Sequence, residues 1–184
     1  MTRILLRALN SPALIIMSLI GIALQTSLFA PWHLIWPLPY LQPDIVLLFV
    51  VWCSLKKKFT EGGIITLILA DFAEIYSASP RGLFLITYML VYLLIRGVSL
   101  IAVIPDLSSM VKTTIVASAV LQLACMGILT LLGAPANHWR QDLLFLIPGA
   151  VTNGCLGIWV YPFLEKFDEI TYQKREREEV VWLS

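Results

Sequence analysis

The chain has 184 residues, 59% apolar and 14% charged, against about 25% charged in an ordinary globular chain. Residues 1–164 hold 9 Lys/Arg and 6 Asp/Glu, while the last twenty hold 4 and 6. So few charges cannot clothe a 164-residue body in polar surface, so its expected solvent is lipid. A soluble enzyme, a secreted disulfide domain and, at net charge +1, a nucleic-acid binder are excluded.

Six apolar stretches are predicted as spans, near 12–30, 44–55, 62–77, 82–104, 113–132 and 143–164. The predicted fold class is all-α: a polytopic membrane helical bundle of six transmembrane helices over residues 1–164, with a cytoplasmic tail at 165–184. The first stretch follows Arg3 and Arg7, as a signal peptide would. It lacks an A-x-A cleavage site and is read as a retained span. Trp36–Pro43 holds three prolines and cannot continue a regular helix. It is expected at the outer interface, where Trp32, Trp36 and Tyr40 suit the headgroup level. The second stretch is short, and Asp44 at its start suits the unpaired N–H groups and positive dipole of a helix N-terminus. Asp142 is read the same way at the start of the sixth.

The third stretch carries Asp71 and Glu74, and the fourth carries Arg96. An ionised carboxylate in mid-membrane costs about 2.5–3.5 kcal/mol on insertion scales. Counted from Gly62 and Pro105, Asp71 and Arg96 fall at the same depth, so a buried Asp71–Arg96 pair is predicted. Arg81 in the short outer loop is placed to reach Glu74. In the sixth stretch Gly149, Asn153 and Gly157 recur every four residues, a face suited to close helix packing. Trp32, Trp36, Tyr40 and Asp44, framed by Pro37, Pro39 and Pro43, are candidates for docking a partner.

Orientation follows from the short loops. With the N-terminus inside and six crossings, ten Lys/Arg fall inside and only Arg81 and Arg140 outside, with Lys56, Lys57 and Lys58 dominating the bias. Both termini are expected in the cytoplasm. Cys53, Cys125 and Cys155 are far apart inside apolar runs and read as small buried hydrophobes. His33 and His138 lie in outer loops beside tryptophans, where interfacial packing is the default. The sequence holds no GxSxG, HExxH, P-loop or dinucleotide fingerprint. No catalytic residue, metal or cofactor is therefore expected.

Residues 42–92 carry Pro43-Asp44 opening an apolar span, a basic loop at Lys56–Lys58, and Glu61-Gly62 starting the next span. An aspartate, Asp71, lies deep in that span. Ser79-Pro80-Arg81-Gly82 then forms a turn before a span with Tyr88 and Tyr92. This succession resembles the rod shape-determining protein MreD family. The resemblance implies a non-enzymatic scaffold of the bacterial elongation machinery in the inner membrane, supporting rod shape and lateral peptidoglycan synthesis. It further implies association with MreC, a single-span membrane protein, and through it with RodA, a class B penicillin-binding protein and MreB. The implied fold is like that of the substrate-binding subunits of energy-coupling-factor vitamin transporters, and such a vitamin-binding subunit is the alternative reading.

Overall fold

A computed structural model describes residues 2–29, 43–77, 79–101, 106–133 and 139–171. They form helices α1 (Thr2–Phe29), α2 (Ile45–Lys56), α3 (Phe59–Ile75), α4 (Leu83–Ile101), α5 (Leu107–Leu131) and α6 (Trp139–Thr171). The all-α expectation holds for these residues.

The helix ends have local causes. Asp44 caps α2, its carboxylate accepting from Leu47 N at 3.0 Å. The helix stops where Lys57 turns extended and its N–H closes on Cys53 O. Lys58 remains extended and α3 begins at once. The turn into α4 uses Gly82 at φ +88°, a left-handed conformation that glycine adopts without a Cβ penalty. α5 ends on Gly133 at φ +85°, the αL residue that commonly closes a helix.

α2 is the axis of the bundle. Every residue from Val46 to Ser54 is buried, against α1, α3, α4, α5 and α6. Such a helix shows almost no amphipathic pattern, because it has no exposed side. α6 packs chiefly on α5, and α3 on α4. Trp52 of α2 stacks on Tyr161 of α6 at 6.3 Å between ring centroids. Close approach depends on glycine: a Cβ at Gly62 would lie 2.8 Å from Cys53 O, and one at Gly154 2.6 Å from Ile115 Cγ1. The outer faces are apolar instead of polar, with Ile16, Ile20, Ile64, Leu93, Val116 and Trp159 among the large exposed side chains.

The expectation of six spanning helices is narrowed. Among the described residues two helical stretches, Leu107–Leu131 and Leu143–Glu169, are long and apolar enough to cross a membrane. The apolar parts of α1, α2 and α4 are shorter: Ser11–Gln25, Ile45–Lys56 and Leu83–Ser99. At 12 residues α2 is about 18 Å long, well below a bilayer core of about 30 Å. The spans also extend past their expected limits. α1 runs back to Thr2 through Pro12, α5 starts at Leu107, and α6 continues through Pro162 to Thr171. Residues 165–171 thus belong to the last helix and not to a separate tail, for a reason given below.

Candidate functional site

The N-terminus of α2 lies within the bundle and organises a polar node. Asp44 Oδ1 accepts from Leu47 N, and Oδ2 accepts from the Tyr88 hydroxyl of α4 at 2.6 Å. Asp44 N donates to Asn153 Oδ1 of α6 at 2.6 Å, and Asn153 Nδ2 donates to Ser118 Oγ of α5 at 2.8 Å. Ile45 N donates to Gln25 Oε1 of α1 at 3.1 Å. Three other helices thus bind the end of the central one, and α5 joins them through Asn153. Tyr88, Ser118 and Asn153 are each at most 3% exposed. In so dry a setting an unmade hydrogen bond costs more than a made one gains, so this connectivity admits one arrangement of the helices.

The other end of α2 carries a second polar layer. Lys57 Nζ pairs with Asp168 of α6 at 2.8 Å, with the lysine side chain only 3% exposed. Lys56 lies 3.6 Å from Glu165 and 5.6 Å from the centre of the Trp52 ring. Arg96 donates through Nη1 to Ser54 O at 3.0 Å and Lys57 O at 3.3 Å, meeting carbonyls left unpaired at a helix C-terminus. Tyr92 donates to Phe59 O, and Ser11 to Glu61 Oε1, each at 2.6 Å. The Lys56 and Lys57 contacts explain why α6 outruns its expected end: residues 165 and 168 are anchored to the α2 terminus.

The expected Asp71–Arg96 pair is not formed. Arg96 serves the end of α2, and Asp71 is exposed on the outer side of α3. The two side chains lie at different depths: Arg96 is level with Ser54 and Lys57 at the end of α2, whereas Asp71 is about 13 Å along α3 from Gly62, itself level with Cys53. Glu74 does not meet Arg81; its Oε1 accepts from Gly82 N and holds the turn. The capping role expected of Asp44 is present, and Tyr88 and Asn153 extend it into a network. Asp142 lies inside α6, which starts at Trp139.

Gly149, Asn153 and Gly157 are all buried, with Gly157 against Leu48 of α2. The closest approach to α5 is at Gly154, which the four-residue spacing passes over. Trp32, Trp36, Tyr40, His33 and His138 lie outside the described residues. Gln25 and Ser118 were not singled out in the sequence. Their signal was a polar side chain inside an otherwise apolar run, which buried polar networks require.

The named hydrogen bonds tie helix to helix, and among the described residues no three His, Cys, Asp or Glu side chains gather in a metal-binding group. No family model, curated protein or solved structure matches the chain.

Proposed function

We propose that this chain is a non-enzymatic scaffold of the bacterial elongation machinery, embedded in the inner membrane by six helices with both termini in the cytoplasm. It supports lateral peptidoglycan synthesis with an MreC-like single-span partner, and through it RodA, a class B penicillin-binding protein and MreB. One observation carries the reading: four residues of the MreD-like pattern, Asp44, Gly62, Tyr88 and Tyr92, meet at the two ends of the central helix, while Asp71 of the same pattern faces outward. Asp44 and Tyr88 bond to each other at one end of α2. Gly62 lets α3 approach Cys53 O near the other end, with Tyr92 beside it. Gly82 makes the turn that returns α4. The pattern is thus one of assembly, as expected of a rigid body whose outer faces meet lipid and partners.

The ten-to-two lysine and arginine asymmetry supports the orientation, and the apolar exterior with two helical stretches of spanning length supports the membrane setting. The test is affinity recovery of the full chain from membranes of its own bacterium. The MreC-like protein should co-purify at comparable amounts. Its absence, alongside recovery of a transporter ATPase pair, would replace this reading with the vitamin-binding one.

A further inference from the structure

The outer side of α3 combines apolar exposure with a charge. Ile64 is 62% exposed, Leu67 46% and Ile75 68%, and Asp71 is exposed among them. Positions 64, 67, 71 and 75 follow helical spacing and form one stripe. The opposite side of α3, with Gly62, Ile65, Thr66, Leu69 and Ala70, is buried. A groove between α1 and α3, lined by Ser11, Pro12, Ile15, Ile16, Glu61, Ile64 and Ile65, with Glu61 accepting from Ser11, opens onto the same stripe.

The depth of Asp71 follows from contacts. Gly62 is level with Cys53, so Asp71 stands about 13 Å beyond that level. The Lys57–Asp168 pair lies about 6 Å on the other side. α3 ends at Ile75, four residues on, so Asp71 stands about 6 Å inside the outer end of the helix. An aspartate cannot snorkel that distance as a lysine or arginine can. The candidate partner within the bundle, Arg96, is bonded to Ser54 O and Lys57 O, and Asp71 forms no ion pair among the described residues. An ionised carboxylate facing acyl chains is disfavoured, and intramembrane charges pair with one another.

We propose that the stripe Ile64–Leu67–Asp71–Ile75, with the adjoining α1–α3 groove, docks a transmembrane helix of a partner protein carrying a lysine or arginine opposite Asp71. Charge complementarity selects this occupant: an all-apolar helix or a lipid tail would leave the carboxylate unmatched. The groove and stripe seat the apolar side chains of one helix, and the ion pair sets its register. This rests on the membrane reading above and names the chemistry that a single-span partner presents.

The test uses the full chain in phosphatidylcholine vesicles, with polyleucine transmembrane peptides of about 23 residues as probes. One peptide carries a single lysine at the depth of Asp71, and the control is all leucine. Association is read by energy transfer from the labelled chain. The lysine peptide should associate on the order of tenfold more tightly than the control, equivalent to about 1.4 kcal/mol. Asp71→Glu should keep this preference and Asp71→Leu should abolish it, with helical content and vesicle insertion unchanged because the position is exposed. Equal association of both peptides would overturn the proposal, as would a lysine preference that survives Asp71→Leu. Energy transfer between two labelled copies of the chain, lost in Asp71→Leu, would overturn it in favour of self-association. A lysine preference without recovery of an MreC-like protein from native membranes would leave docking standing and remove the scaffold reading. The reverse result would remove docking alone, and failure of the chain to insert into vesicles would remove both.

Discussion

Asp44→Ala removes two supports at once. The first is the acceptor that caps α2, worth about 1 kcal/mol. The second is the acceptor for Tyr88, which is 2% exposed, so its orphaned hydroxyl costs about 1–3 kcal/mol. The expected total is about 2–4 kcal/mol. Tyr88→Phe removes the other partner and leaves a part-buried Asp44 oxygen without its donor, about 1–3 kcal/mol. In the double variant no phenol is orphaned and no carboxylate lacks its donor. Its loss should therefore fall short of the sum of the single losses by about 1–3 kcal/mol. Asp44→Asn should be much milder, since its carbonyl can keep the cap while its amide donates to the Tyr88 oxygen. Reversible unfolding in mixed detergent micelles, followed by the fluorescence of buried Trp52 and the other tryptophans, measures all four proteins. Losses that add to within about 0.5 kcal/mol would refute the reasoning, since the two side chains would then not be coupled.

Gly62→Ala should cost about 1–3 kcal/mol in the same assay, because the new Cβ meets backbone oxygen at 2.8 Å, whereas Gly127→Ala, with nothing within 4 Å, should be neutral or stabilising by up to about 1 kcal/mol. Lys57→Met should destabilise by about 3–5 kcal/mol by leaving Asp168 without its lysine, and Lys57→Met with Asp168→Leu should recover much of that loss; no recovery would show that the pair is not what anchors α6. Arg96→Ala should lower stability while Asp71→Ala, at an exposed position, leaves it nearly unchanged, and the double variant should match their sum; a coupling above about 0.5 kcal/mol would contradict the observed geometry. In a background without native cysteines, Lys58→Cys should label only from the cytoplasm and Arg81→Cys only from outside, both positions being exposed; the opposite pattern would reverse the orientation.

Local chemistry made part of this architecture legible. Pro43-Asp44 announced the start of α2, because a cap needs a carboxylate at that position whatever surrounds it. Gly82 and Pro80 announced the turn before α4. What could not be read depended on where helices end in space. The Asp71–Arg96 pair was inferred from span limits set by hydropathy, yet α3 starts three residues before Gly62, at Phe59. That shift helps carry Asp71 outward, while Arg96 reaches the carbonyls at the α2 terminus. Asn153 looked like part of a packing stripe, since its hydrogen-bonding partners lie 109 and 35 residues away. Lys57 looked like a loop charge for the same reason: its pairing with Asp168 spans 111 positions. Apolar periodicity carries no information about such distant pairings, which arise only once five helices surround α2.

The central claim is that this chain holds the lateral wall-building machinery together, and controlled depletion in its own bacterium tests it most directly. Cells would be imaged while sidewall synthesis is followed with a fluorescent D-amino acid. The account predicts that rods widen into spheres and sidewall incorporation falls as the chain disappears, and that both recover with the wild-type chain. Rods of unchanged width, with sidewall incorporation intact after the chain is gone, would contradict it.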